Sequence, residues 1–371
     1  MRALQICSYY MDSKLYGHLI KQLDQFVDND VFYFTDDRLD ISTIDPSFYV
    51  SHRYKSWERL FFYRKHKIVY EDLLRELDPR VYTLTHAHSL MSNGYISYKL
   101  KEDYGVKYVT AVRRSDLFAF MRYKPYLKPL AVKILEGAEQ VIFLSPVHRQ
   151  LALKMFKNSL GQALEEKSIT IPNGIDPIYL ENQNRLSEAE QNAHLAKRPV
   201  VIFVGKIDDP NKNIRNLVRA LDFFNREEVL FELHLVGRLE DPKLIDWMQS
   251  KKFIQHIPPT DAQGVIRALR SAHIFAMPSF TETFGLVYPE AMSQGLPVIY
   301  SKGQGIDGYF PEGQIGQSVN PHSVDSIRRA IAGVYTRLDE LSPAVIDLSS
   351  QFSWEQVGLA YRKIYEKVGV R

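Results

Sequence analysis

Short apolar runs rich in β-branched residues alternate along this chain with longer segments whose apolar positions recur at helical spacing. The pattern predicts strands over Ala3–Ser8, Val31–Phe34, Val81–Thr85, Lys107–Val112 and Gln140–Leu144. A second series opens at Val200-Val201-Ile202-Phe203-Val204-Gly205 and continues through Phe231–Val236, Phe253–Ile257, His273–Met277 and Pro297–Tyr300. Helical stretches fall between them, among them Lys14–Phe26, Ser92–Glu102, Asn213–Phe224 and Val287–Gln294. Such alternation predicts an α/β protein with parallel sheets. The turn formers Ile171-Pro172-Asn173-Gly174-Ile175-Asp176-Pro177 separate the two series, and a polar helical piece, Ser187 to Arg198, follows. The expected architecture is therefore two doubly wound domains facing a cleft, residues 1–172 and 173–352. A final amphipathic helix over 353–371 is opened by Ser353 as N-cap.

A length of 371 residues suits two domains of ordinary size. With 45% hydrophobic and 25% charged residues, the composition is that of a globular protein with two cores. A net charge of +3 gives no argument for nucleic acid. The single cysteine, Cys7, cannot form an internal disulfide, which fits a reducing compartment. The N-terminal residues are too polar for a signal peptide, and no stretch reaches the roughly 20 apolar residues of a membrane span. The expectation is a cytoplasmic protein, with contact at the inner membrane face left open.

The segment Ser279 to Ala291 holds the richest chemistry. Glu282 and Glu290 bracket Phe284-Gly285-Leu286 at the predicted start of a helix. A helix start leaves N–H groups unpaired and attracts phosphate, and Gly285 permits close backbone approach. Ionised carboxylates accept hydrogen bonds from sugar hydroxyls. Together these features suggest a sugar joined to a phosphate; two solvated acids on a surface loop are the alternative. The acids lie eight residues apart, which on one continuous helix would be about 12 Å along the axis. A glycosidase pair needs roughly 5 to 10 Å. Gly205-Lys206 at a strand end, with Lys212 six residues on, could neutralise a diphosphate, or could be ordinary surface lysines.

Other motifs are weaker. Gly303-Gln304-Gly305-Ile306-Asp307-Gly308 has the spacing of a dinucleotide fingerprint, but Tyr309-Phe310-Pro311-Glu312-Gly313 reads as loop where a helix should open. Asp28-Asn29-Asp30 has a metal-holding pattern yet reads as a polar turn. No Cys/His cluster has zinc spacing, so no metal is implied. His86 and His88 follow a strand and would present two exposed imidazoles able to bind hydroxyls or phosphate, or to move a proton; a structural role is the alternative. Arg113 ends the next strand and could meet an anion or bridge to Asp116. His52 to Lys67 holds six Lys/Arg, one acid and five aromatics, suited to an anionic lipid surface or single strands of nucleic acid, or to a helix with aromatics inward.

Taken together, Pro278-Ser279-Phe280-Thr281-Glu282-Thr283-Phe284-Gly285-Leu286, Pro289-Glu290-Ala291-Met292-Ser293-Gln294-Gly295-Leu296-Pro297-Val298 and their Glu-x7-Glu spacing resemble glycosyltransferase family 4, retaining enzymes of GT-B architecture. Ile171 to Asp176 resembles the family's interdomain signature, Val204-Gly205-Lys206 through Lys212-Asn213 its phosphate loop, and Leu235-Val236-Gly237 its next strand end. The likeness is dense over 171–300 and looser in the first half. It implies that the closing helix crosses back onto the N-terminal domain. It further implies that Glu282 contacts the donor sugar, that Phe284, Gly285 and Leu286 offer amides, and that Glu290 holds the ribose. Lys206 and Lys212 would stabilise the leaving diphosphate, with Gly205, Gly237 and Ile257 lining the donor site. Tyr10, His86, His88 and Arg113 would face the acceptor. Two departures stand out. Lys206 replaces the family's usual arginine, and Arg113 stands where many members have histidine. The loop Ser8 to Lys14 also lacks paired glycines, with Gly17 the only one near it.

The resemblance implies a metal-independent retaining transferase that uses a nucleotide-diphosphate sugar, UDP above other nucleotides, to glycosylate a glycan or lipid-linked acceptor, with no nucleic-acid partner. A non-catalytic sugar-nucleotide-binding scaffold and a sugar-nucleotide epimerase remain alternatives at this stage.

Overall fold

The computed structural model describes residues 1–12, 14–38, 48–207, 210–227 and 230–369. The chain divides into two units, Met1–Asn173 together with Trp354–Arg371, and Gly174–Ser353. Each is built on a parallel sheet.

In the first unit the strands are β1 (Arg2–Ile6), β2 (Asp28–Asp36), β3 (Tyr49–Tyr54), β4 (Leu84–Ala87), β5 (Lys107–Val112), β6 (Gln140–Phe143) and β7 (Ser168–Thr170). Their order is β3-β2-β1-β4-β5-β6-β7. The second unit has β8 (Val200–Val204), β9 (Glu232–Val236), β10 (Ile254–Ile257), β11 (Ile274–Met277), β12 (Val298–Ser301) and β13 (Gly316–Val319), ordered β10-β9-β8-β11-β12-β13. Both sheets therefore reverse direction of growth beside their first strand. In such sheets ligands bind outside the carboxyl ends of the strands at that reversal. In the second sheet this point lies between β8 and β11, whose ends carry Gly205-Lys206 and the segment leading to Glu282.

β8 is apolar throughout because helices cover the sheet on both faces; Val201, Ile202 and Phe203 are fully buried. Against it pack Leu217, Val218 and Leu221 of the helix Ile214–Phe224, whose other face is solvated. In the first unit the helix Trp354–Gly369 packs Trp354, Val357, Tyr361, Ile364 and Tyr365 onto a core that includes Ala3, Leu84, Val109 and Ile142. The sheet of the first unit is thus covered by residues that follow the entire second unit in sequence.

The structure corrects several expectations. β3, β7 and β13 were not expected as strands; all three are sheet edges, short or partly polar. The predicted strand over Val81–Thr85 begins later, at Leu84, because Asp78 caps a 3-10 turn over Pro79–Val81 by accepting from the Arg80 amide. Asp28-Asn29-Asp30 is not a turn but the start of β2. Asp30 accepts from the Arg2 guanidinium at 2.8 Å and the Tyr82 hydroxyl at 2.9 Å, so it is engaged structurally. The stretch His52–Lys67 is not one helix: it contains the end of β3, a 3-10 turn over Ser56–Leu60, and the first residues of a helix over Phe62–Glu76.

Candidate functional site

The site in the second unit is assembled where β8 and β11 end. Gly205 and Gly237 follow β8 and β9 with φ of 149° and 139°. A Cβ at Gly237 would stand 1.9 Å from the Gly205 carbonyl oxygen, so side chains are excluded there by contact with backbone. The Gly205 amide donates to Val236 O, and the Gly237 amide donates to Ile257 O, which locks the three strand ends together. Lys206 follows directly, at the exposed rim.

Beyond it, Lys212 ends a 3-10 turn over Pro210–Lys212. Its ammonium donates to Glu282 Oε2 at 2.8 Å, with both side chains largely sheltered from water. This pair is positioned by neighbours that sequence reasoning passed over. Asn211 Nδ2 donates to Thr281 O, and Asn211 Oδ1 accepts from the Thr281 amide and hydroxyl. Asn213, buried and left-handed at φ 59°, donates to Pro278 O and Pro321 O. Gln304 Oε1 accepts from the Glu282 amide, and the Gly305 amide donates to Glu282 O. The glycine-rich loop therefore braces Glu282. No helix opens over Gly303–Gly313, so the dinucleotide reading of that motif fails on its context. Amide side chains in loops carry no periodicity, and nothing but their place beside the motifs could have marked them.

After Glu282 the chain turns at Gly285 (φ 79°) into a helix over Val287–Ser293. The Tyr288 amide donates to Gly285 O, and Pro289 has none, leaving the amides of Gly285, Leu286 and Val287 at this end among the described residues. Phe284 is buried against Tyr309 and Phe352, so its ring anchors the turn. The Tyr288 hydroxyl donates to Met277 O at 2.7 Å, tying the helix to the end of β11. Glu290 lies in the helix's first turn. Burial, with a smaller contribution from the nearby charge of Asp176, raises its carboxyl to about 7. Near neutral pH it is poised between its neutral and ionised forms.

The first unit departs from expectation. His86 and His88 are not exposed but fully buried. His86 points under the helix Trp354–Gly369, where its Nδ1 lies 2.7 Å from the Tyr365 hydroxyl. Gln5 Nε2 donates to that same hydroxyl at 3.0 Å. His88 Nε2 meets Gln5 Oε1 at 2.9 Å, and the two imidazoles stack with centroids 4.0 Å apart. Burial keeps both neutral, holding His86 down to about 3 and His88 well below the usual range. Two neutral, enclosed rings bind core groups and do not shuttle protons with solvent.

Arg113 forms no bridge to the Asp116 carboxylate through its guanidinium. Its Nε donates to His88 O at 2.8 Å and its head lies over the Tyr16 ring. Asp116 instead accepts from the amides of Leu90, Met91 and Arg113. Tyr10 sits in a 3-10 turn over Tyr10–Asp12, its ring edge-on to Phe48 at 4.7 Å. Among the described residues, no group of three or more His, Cys, Asp or Glu could hold a metal ion, and no helix is long and apolar enough to cross a membrane.

Residues 198–337, which contain every element of the site just described, match the family described as glycosyl transferases group 1. Over that stretch the second unit is similar to group 1 glycosyl transferases. Among relatives, the phosphatidyl-myo-inositol mannosyltransferase of Mycobacterium leprae is 26% identical over 255 residues, covering 65% of this chain and 64% of that protein. The chain thus spans somewhat under two thirds of that relative's length. Solved structures share the fold of this chain from end to end. Sucrose-phosphate synthase from Thermosynechococcus elongatus superposes with a TM-score of 0.69 at 19% identity, covering 99% of each chain. Anabaena HepE in complex with UDP and glucose gives 0.65 at 16%, covering 99% of this chain and 100% of that one. The resemblance to glycosyltransferase family 4 and the GT-B fold of two Rossmann-like domains are upheld.

Proposed function

We propose that this protein transfers a sugar from a nucleotide-diphosphate donor, UDP-linked in this reading, to an acceptor hydroxyl with retention at the anomeric carbon. The observation that carries the proposal is the Lys212–Glu282 pair at the reversal point of the second sheet, braced by Asn211 and Gln304 beside the turn at Gly285. The pair offers a cation for phosphate and a carboxylate for sugar hydroxyls within one hydrogen bond of each other. UDP as the nucleotide is supported by HepE, seen with UDP and glucose on the same fold.

In this reading donor binding divides the pair. Lys212 turns to the diphosphate together with Lys206, and Glu282 takes the sugar hydroxyls. The amides of Gly285 to Val287 and the helix start face the phosphates, Glu290 accepts from the ribose, and Gly205, Gly237 and Ile257 form the floor. As the bond between the anomeric carbon and the phosphate oxygen breaks, the acceptor oxygen bonds to the same face of the sugar. The acceptor's proton passes to the leaving phosphate. Positive charge fixed in advance stabilises the developing dianion, and no metal is required in this scheme. The acceptor is a hydroxyl of a glycan or lipid-linked glycan, and the compartment is the cytoplasm, in keeping with a lone buried cysteine.

A panel of nucleotide sugars, with nucleotide release and thermal shift as readouts, tests the proposal. Release that depends on acceptor and vanishes in Glu282→Ala supports transfer. Donor turnover without any acceptor, or no binding of any nucleotide sugar, refutes it in favour of an epimerase or a scaffold.

A further inference from the structure

The stretch His52–Lys67 divides by burial into two sets. Phe62 and His66 enter the core of the first unit, while Trp57, Leu60, Phe61 and Tyr63 stand outward, Leu60 with 71% of its surface exposed. A second segment adjoins them: Lys124 Nζ donates to Arg59 O and Leu60 O at 3.2 and 3.4 Å, and on either side of it Tyr123 (74% exposed) and Tyr126 also face solvent. Six large apolar or aromatic side chains thus stand exposed on two adjoining segments. Isolated exposed hydrophobics need no explanation, but a group this size on one face marks an interaction surface.

Cations outnumber acids around the patch, and the exposed Glu71 nearby is paired with Lys67. Glu58, the only acid of the first stretch, is buried, accepting from the Lys55 amide and Arg64 Nε. Asp36 is likewise buried and paired with Arg38 and Arg59. The second segment has no acid between Leu117 and Leu135 but carries Arg122, Lys124, Lys128 and Lys133. Arg64 lies over the Trp57 ring at 5.0 Å, and Lys65 over the rings of Phe34 and Tyr54.

We propose that this face of the first unit docks onto an anionic lipid bilayer, with Trp57, Leu60, Phe61, Tyr63, Tyr123 and Tyr126 entering the headgroup boundary and the surrounding cations meeting lipid phosphates. The chemistry separates a bilayer from single-stranded nucleic acid. Aromatic rings serve either partner, but the most exposed aliphatic residue, Leu60, gains nothing from stacking on bases and gains by burial among acyl chains. The surface charge supplies the electrostatic half of the attraction.

The proposal does not rest on the transfer reading, and its test needs no donor. The full chain is sedimented with vesicles of 30% phosphatidylglycerol in phosphatidylcholine, and with phosphatidylcholine alone, at 50 and 500 mM NaCl. Expected is binding at least 10-fold stronger to the anionic vesicles at low salt, weakening as salt rises. Leu60→Ser combined with Tyr123→Ser, both exposed and remote from the core, should lower binding at least 5-fold with an unchanged melting temperature. Arg122→Gln with Lys128→Gln should lower it and flatten the salt dependence. No sedimentation at 50 mM NaCl, a serine variant that binds like the parent, or tighter capture by a single-stranded oligonucleotide would each overturn it. Nucleotide release measured without vesicles on the same preparations keeps failure here apart from failure of the transfer reading.

Discussion

Glu290 offers a quantitative test of the second unit's design. Its carboxyl is raised from 4.5 to about 7, chiefly by burial. Below the unfolded value of 4.5 it is protonated in both states and burdens neither. Above about 7 it is ionised in both, and the folded state alone bears the cost of a buried charge. Stability from this group is therefore present at low pH and lost as pH rises through 7. A gap of about 2.5 pKa units, at about 1.4 kcal/mol each, gives a loss of about 3.5 kcal/mol. Glu290→Gln is neutral throughout and escapes it. The assay is urea unfolding of parent and variant from pH 4.5 to 8.5, read as the difference between them so that other titrating groups cancel. His273, buried and lowered to about 4, is one such group, and its contribution runs the opposite way. With a slope of about 2 kcal/mol per M, the midpoint gap should move in the variant's favour by about 1.7 M. A gap that stays constant across this range would refute the assigned burial cost. If Glu290 accepts from ribose hydroxyls, UDP should bind up to about 10-fold more tightly at pH 8 than at pH 6, because only the ionised carboxylate accepts at both oxygens. That pH dependence should be absent in Glu290→Gln.

Other perturbations separate chemistry from architecture. Glu282→Ala should abolish transfer yet leave UDP affinity, measured calorimetrically, equal or higher, since Lys212 loses its competing carboxylate; weaker UDP binding would contradict the pairing. Gly237→Ala forces a Cβ against the Gly205 carbonyl and should cost about 3 kcal/mol or more, whereas Gly303→Ala, left-handed but facing open space, should cost about 1. Equal melting temperatures for those two variants would count against the strand-end contact. Tyr365→Phe removes the hydroxyl that meets both His86 and Gln5 and should cost about 1 to 3 kcal/mol while leaving UDP affinity alone. If Lys206 and Lys212 carry the neutralising charge as proposed, nucleotide release should persist in excess EDTA; loss restored by a divalent ion would end the metal-independent scheme.

The strands that could be read in advance are the interior ones, with the edge strand Ile254–Ile257 as the exception. Val200 to Val204 and Lys107 to Val112 sit between neighbours in covered sheets, so burial demands apolar residues and leaves a visible signature. The three that escaped notice, Tyr49–Tyr54, Ser168–Thr170 and Gly316–Val319, lie at edges, where one flank has no partner strand and polar residues are tolerated. At the site, Lys212 and Glu282 were legible because a strand end, a cation and an acid fall at spacings with chemical meaning. Asn211, Asn213 and Gln304 were not, since their importance arises from backbone groups about 20 to 110 residues away. His86 and His88 misled for the same reason: His86 is covered by Tyr365 and its helix, some 280 residues distant, and His88 by Gln5 and Tyr16, which no local pattern reveals.

That helix has a consequence for how the chain comes into being. The second unit is one continuous piece, Gly174–Ser353, and can complete itself as soon as it is synthesised. The first cannot. Gln5 and His86 wait for Tyr365, so the ribosome must make a whole intervening domain before the earlier sheet receives its cover. Until then a parallel sheet holds Ala3, Leu84, Val109 and Ile142 with one of their contacts missing. The portion begun first is the portion finished last, and for that interval it is the half most in need of a chaperone.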